Sequence, residues 1–234
     1  MNRARADGGF PGITSRIPSR SISWRKAVVL VGHLFAPNSA GSRLPQCEEG
    51  PARSARVIVN CTPPMFKLIC GFLRPDTGTV SVSPEYLNPR KSFPESSGVI
   101  IDRPGYLDHS TGLEDLQELA AIRHTIGDTE IRSAMNEVGL DPDLKQKVRN
   151  YSLGMKQKLS LAQAIMEDPS VLLLDEPFNA LDHDSTTRAR DIVLSLKARG
   201  KTILFTSHNA EDISMLSDEV LRIESNTLIH QTAR

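Results

Sequence analysis

Val171-Leu172-Leu173-Leu174-Asp175-Glu176-Pro177 is an apolar run that closes in two adjacent carboxylates. Four aliphatic residues without alternation predict a strand buried on both faces of a parallel sheet. Its end is then the carboxyl edge of the sheet, where α/β proteins bind ligands. There Asp175 suits Mg2+ held through water, because this hard ion takes oxygen from carboxylates and phosphates. Glu176 suits polarising a water for attack on a phosphoryl group. Ser152 and Gly154 lie upstream, in Tyr151-Ser152-Leu153-Gly154-Met155-Lys156-Gln157, with Ser152 23 residues before Asp175. They open a helix, where free N–H groups and the helix dipole favour phosphate. Asp182 follows Glu176 by six residues in Asn179-Ala180-Leu181-Asp182, and His208 follows it by 32. Each place alone also fits a plain structural role: a charged strand end, a capping serine, a histidine at a strand end.

The elements that must carry these residues follow from punctuation and period. Thr202–Thr206 is a second buried strand, and a helix over 185–199 stops at Gly200, a favourable residue after a helix end. Strand, helix, glycine and strand make a βαβ unit, so the fold class is α/β with a mostly parallel sheet. Thr111-Gly112-Leu113-Glu114 predicts a capping box and a helix over 114–123. A helix over 128–138 closes at Gly139, and Leu159, Ala162, Ile165 and Met166 share one face of another. Residues 103–165 thus form a helical insertion between sheet strands. A short apolar helix over 65–72 leads to a turn at 74–78.

Composition limits the partners. The 234 residues, 39% hydrophobic, can bury one substantial core. Twenty-eight basic and 28 acidic residues cancel, so no global charge favours nucleic acid or an anionic membrane. Residues 1–64 carry eight Arg and one Lys against Asp7, Glu48 and Glu49, an excess that residues 65–234 offset. This first segment is rich in Arg, Ser, Pro and Gly. It shows no sustained period apart from possible strands at 27–31 and 56–59, so it is expected to be irregular. Its aromatics, Phe10, Trp24 and Phe35, are too scattered for a stacking platform. Cys47, Cys61 and Cys70 have no metal-ligand spacing and an odd count. The apolar run at 27–31 is too short to span a bilayer, and no clean signal-peptide cleavage site follows it. A cytosolic protein is expected.

Taken in order, a Ser-x-Gly helix start, an apolar strand ending in Asp-Glu-Pro, an Ala-Leu-Asp and a Ser-His resemble the ATPase subunit of ABC transporters. The resemblance covers about 65–230. Tyr151 to Gln157 then resembles the signature motif, Leu172 to Pro177 the Walker B strand, Asn179 to Asp182 the D-loop and His208 the switch histidine. Residues 96–116 are similar to the Q-loop region, with Asp102 where most of the family has Gln. An acidic residue there and the spelling of the signature resemble the bacitracin- and lantibiotic-type exporters. The resemblance implies a P-loop-type fold, ATP and Mg2+ as cofactors, a second ATPase subunit and an integral-membrane permease as partners. It implies a site on the cytoplasmic face of the membrane and no nucleic acid. By the same resemblance Glu176 is the water-activating base, His208 the sensor of the γ-phosphate, Asp175 the Mg2+ residue, and Asp102 lies near metal and water. Ser152, Gly154, Met155 and Asp182 would meet ATP held by the opposite subunit. DNA-repair ATPases with the same signature are disfavoured, because no heptads interrupt the chain and residues 65–234 are acidic.

One half of the pattern departs from the family. Its Gly-x-x-Gly-x-Gly-Lys-(Ser/Thr)-(Ser/Thr) loop should end just before Met65. Cys61 stands at the last Gly, Thr62 at the Lys, and Pro63 and Pro64 at the two hydroxyl residues. Thr62 brings no positive charge to a phosphate, and neither proline has a hydroxyl or an N–H. Prolines are tolerated in a helix's first turn, so the helix is expected to survive and the phosphate cradle is not. Residues 1–64 therefore read as a rearranged, frame-shifted or unrelated start joined at a seam, or else as a real but divergent N-terminal half. Two functions remain: an ATP-hydrolysing exporter subunit with impaired turnover, or a non-hydrolysing partner that lends its signature to another subunit's site.

Overall fold

A computed structural model describes residues 20–23, 28–31, 55–59, 63–73, 96–102, 105–224 and 227–232. The turn expected at 74–78, the aromatics Phe10, Trp24 and Phe35, and Cys61 and Thr62 lie outside the described residues. Strands β1 (Arg20–Ser23) and β2 (Val28–Val31) pair antiparallel. Strand β3 (Ala55–Val59) is followed by helix α1 (Pro63–Ile69). The two strands anticipated in the first segment thus occur, and β3 enters the main sheet.

Strand β4 (Ser97–Ile100) precedes the helical insertion: α2 (Gly112–Arg123), α3 (Asp128–Glu137), a 3-10 turn at Val148–Asn150, and α4 (Leu153–Ile165). Then come β5 (Val171–Leu174), α5 (His183–Ala198), β6 (Thr202–Thr206), α6 (Ala210–Leu216), β7 (Glu219–Glu224) and β8 (Thr227–Thr232). Six strands form one sheet in the order β4-β5-β6-β3-β7-β8. The first five are mutually parallel, and β8 closes the edge antiparallel to β7. This is the parallel α/β arrangement the βαβ reading predicts.

The local signals act where the sequence places them. Thr111 Oγ1 accepts from Glu114 N at 3.3 Å while Glu114 Oε2 accepts from Thr111 N at 2.7 Å, so both halves of the capping box form. Gly200 ends α5 at φ +82°, a conformation open to glycine. Leu172, Leu173, Leu174, Ile203 and Phe205 are buried, and Phe205 meets Phe178 edge-on with ring centroids 6.1 Å apart. Each such side chain contributes about 1.5–3 kcal/mol. Leu116, Ile131, Met135 and Leu159 join the helical insertion to this core. In α1, Met65 and Phe66 are buried despite the prolines that open the helix. Cys70 beside it is buried, and its thiol is pushed up to about 12 by that burial, which leaves it unreactive.

Helix α4 is fixed to the sheet at its far end. Gly98 on β4 lies so close to α4 that a Cβ there would come within 1.9 Å of the Ala164 carbonyl oxygen. Gly98→Ala must push α4 off β4. It is expected to cost about 3 kcal/mol, the upper end for overpacking, measured by urea unfolding of the intact chain.

Candidate functional site

Parallel strands of matched register deliver their following residues to one edge. Ile100 pairs with Leu174, and Leu174 with Phe205. Asp102, Asp175, Glu176 and His208 therefore all follow strand ends at the carboxyl edge of the sheet. Asp175 continues the ladder, its N–H donating to the Ile100 carbonyl at 2.8 Å. The Thr206 hydroxyl then ties two strands together. It donates to Asp175 Oδ1 at 2.8 Å and accepts from Glu176 N at 2.8 Å. Glu176 turns away from the strand at φ +47°, and its Oε1 meets His208 Nε2 at 3.1 Å. Burial pushes the Glu176 carboxyl up from its ordinary value, against the pull of the facing His208. The side chain of His208 is 75% exposed, so the pair opens to solvent on the histidine side.

Asp102 has a different neighbour. It stands at φ +55° and is ion-paired with Lys67 on α1. The structure thus brings Asp175, Glu176 and His208 into one constellation, while Lys67 engages Asp102 at its margin.

The second group sits at the start of α4. Ser152 caps the helix, its Oγ accepting from Met155 N at 3.1 Å. Helix geometry leaves the Leu153 and Gly154 amides without intrahelical acceptors, and the Leu153 side chain is exposed. Gly154 approaches the β5–α5 connection so closely that a Cβ would lie 2.9 Å from the Ala180 carbonyl oxygen. Asp182 caps α5 by accepting from Ser185 N at 2.8 Å, which holds its carboxyl below the usual range. Each of the two residues thus fills the capping role open to it and also lies beside a helix start.

Three further contacts were not singled out from the sequence. Thr206 is one, a buried polar residue at the end of an otherwise apolar strand. That mismatch was its signal. Gln157 is the second: its Nε2 donates to the carbonyls of Pro177 at 2.9 Å and Glu176 at 3.3 Å. Its signal was weaker, a residue on the same helical face as Gly154. The third is a buried network behind His208. Arg190 Nε on α5 donates to Asp212 Oδ1 at 2.8 Å, and Ser207 Oγ donates to Asp212 Oδ2 at 2.8 Å. It fixes the turn that carries the histidine. Its members lie 22 and 5 residues apart, which no periodicity announces.

The sequence profile of the ABC transporter family matches residues 64–179. The uncharacterized ABC transporter ATP-binding protein YybJ of Bacillus subtilis (strain 168) is 38% identical over 164 residues, covering 70% of this chain and 75% of that one. The bacitracin transport ATP-binding protein BcrA of Enterococcus faecalis is 32% identical over 168 residues. That match covers 71% of this chain and 54% of BcrA, so the chain spans about half the length of that relative. Among solved structures, an ATP-binding subunit of an ABC transporter superposes with a TM-score of 0.67 at 21% identity, over 77% of this chain and 79% of that one. The dimeric ATP-binding cassette MJ0796 bound to ADP and Pi superposes at 0.68 and 13% identity, over 94% and 97%. These likenesses are of fold.

Arg190→Met leaves the Asp212 carboxylate buried without its cation. A loss of about 3–5 kcal/mol is expected by urea unfolding, much of it recovered when Asp212→Leu is added.

Proposed function

Because the chain belongs to the ABC transporter ATP-binding proteins, we propose that it serves a membrane exporter as a peripheral ATPase-family subunit whose competent surface is the N-terminus of α4. Its own phosphate site does not fit a nucleotide. A phosphate loop needs a glycine-rich run ending in Gly-Lys-(Ser/Thr) between strand and helix. Between the end of β3 at Val59 and the start of α1 at Pro63 the chain has only Asn60, Cys61 and Thr62. Three residues without glycine or lysine cannot wrap a triphosphate, and Pro63 offers neither an amide N–H nor a hydroxyl. Mg2+ depends on that same phosphate. This ion usually takes one or two carboxylates together with substrate phosphates. Among the described residues no group of three or more His, Cys, Asp or Glu is arranged to hold a metal. Asp175 remains as a lone candidate. No hydrolytic step at this site follows.

The reading rests on the other half of the machinery. One observation carries the reading: α4 starts with a side-chain cap, an open first turn and a glycine where no side chain fits. Ser152, Gly154 and Met155, with Asp182 at the adjoining turn, would meet the phosphates of ATP held by a second subunit. That subunit must bring its own phosphate loop. The Leu153 and Gly154 amides would then face the γ-phosphate, where preorganised N–H donors act most strongly. The permease would dock at 103–115. There Leu107 is 49% exposed, and the Tyr106 hydroxyl donates to the Lys156 carbonyl on α4 at 2.8 Å. No helix among the described residues is long and apolar enough to cross a membrane.

A second reading keeps hydrolysis in this chain. The Glu176–His208 contact at 3.1 Å and the Asp175–Thr206 bond favour it, since both survive without the loop. Residues 1–64, as a replaced or frame-shifted start ahead of a domain from 65, reconcile the two readings. A Gly-Lys-(Ser/Thr) run in another frame upstream of the Met65 codon would mark the seam.

Gly154→Trp in a mixed assembly with a loop-bearing subunit is expected to lower ATP turnover about a hundredfold or more. Unchanged turnover would reduce Gly154 to a helix-packing residue. In membranes holding the neighbouring permease, a photo-crosslinker at Tyr106 is expected to trap that protein. Crosslinks confined to this chain would remove 103–115 as the docking segment.

A further inference from the structure

Glu176 occupies the left-handed region at φ +47°. A residue with a Cβ persists there only where its surroundings hold it. Both polar ends of its backbone are held by side chains from other elements. Thr206 Oγ1 on β6 accepts from its N–H at 2.8 Å. Gln157 Nε2 on α4 donates to its carbonyl at 3.3 Å and to the next carbonyl, that of Pro177, at 2.9 Å. Three residues earlier on the same helix, Gly154 lies against the Ala180 carbonyl, and Ala180 is itself left-handed at φ +64°. The start of α4 therefore grips the β5–α5 connection near both of its left-handed residues.

We propose that Gln157 is a positioning residue that joins the N-terminus of α4 to the Glu176 backbone, so that an anion held at Ser152 and Gly154 is felt at the carboxylate of the other site. The proposed function supplies the identity of that anion, the phosphate end of a partner's nucleotide. The link itself rests on the geometry alone. α4 is a single helix, and a shift of its first turn carries Gln157 with it. Amide hydrogen bonds tolerate only a few tenths of an ångström before they weaken. A small movement at Gly154 therefore changes the hold on both carbonyls, and Glu176 is free to move about the Thr206 bond that remains. Gln157 acts only through the backbone that carries Glu176.

Isotope-labelled intact chain gives the test without any partner. Ser152→Ala removes the cap of α4 and is expected to shift the Glu176 amide and the Glu176 and Pro177 carbonyl resonances. In a Gln157→Met background, which keeps chain length and loses both donors, less than half of that shift is expected. Gln157→Ser serves as a second background, and unchanged melting curves identify the variants that keep their fold. Shifts of equal size with and without the amide overturn the link. Turnover indifferent to Gly154, with the spectroscopic coupling intact, refutes the proposed function and leaves the link standing.

Discussion

The Thr206 hydroxyl lies between two residues of the neighbouring strand, donating to the Asp175 carboxylate and accepting from the Glu176 amide, both at 2.8 Å. A strand buried on both faces can present charge only at its end, and β5 does so with two carboxylates in succession. Held by Thr206, the first stays in line with the strand and the second turns out at φ +47° to meet His208. The rest of the site hangs on that bond. Arg190 and Asp212 fix the turn after Thr206, and Gln157 fixes the carbonyl after the Glu176 amide. Without the hydroxyl, a half-buried carboxylate and a strained amide would both lose this partner, each at a cost of up to about 1–3 kcal/mol.

On the reading proposed above, the same sheet keeps its fold while half of its chemistry is lost. β3 lies between β6 and β7 in parallel register, and α1 buries Met65 and Phe66 behind it. Backbone pairing and apolar burial ask only for a strand and a helix, so prolines at the helix start are tolerated. Phosphate binding asks for more: amide donors, glycine geometry and a cation at one spot. Charge-assisted hydrogen bonds contribute about 1.5–3 kcal/mol each. Losing the lysine and one or two donors weakens nucleotide binding by roughly two to four decades. Lys67 on the same helix does not replace the missing cation, because Asp102 engages it. On that reading, what remains is a helix start that would face a phosphate held by another subunit.

Much of this was legible because it is local. Buried strands at 171–174 and 202–206, the Thr111 capping box and the Gly200 stop each follow from a few adjacent residues. The carboxylate pair was legible for the same reason, since an apolar run ending in charge can do little else. Asp182 and Ser152 were read as near a ligand, and both act as caps, roles that sequence assigns equally well. The contacts that went unread join distant elements. Gln157 reaches 20 residues along the chain to Pro177, and Thr206 reaches 31 back to Asp175. Nothing in residue type or period sets such pairings; the register of β5 against β6 and the seat of α4 on the sheet do. The place of β3 in the middle of the sheet was equally hidden, because five residues in an Arg- and Ser-rich segment carry too little pattern to announce a central strand.

Fluorescent ATP titrated into the intact chain with Mg2+ bears most directly on the division between an absent phosphate site and a surviving signature. No saturable binding is expected at micromolar nucleotide. Micromolar affinity that disappears when Asp175 and Glu176 are replaced would contradict it, and would mean that the residues ahead of α1 build a phosphate site without a glycine-rich loop.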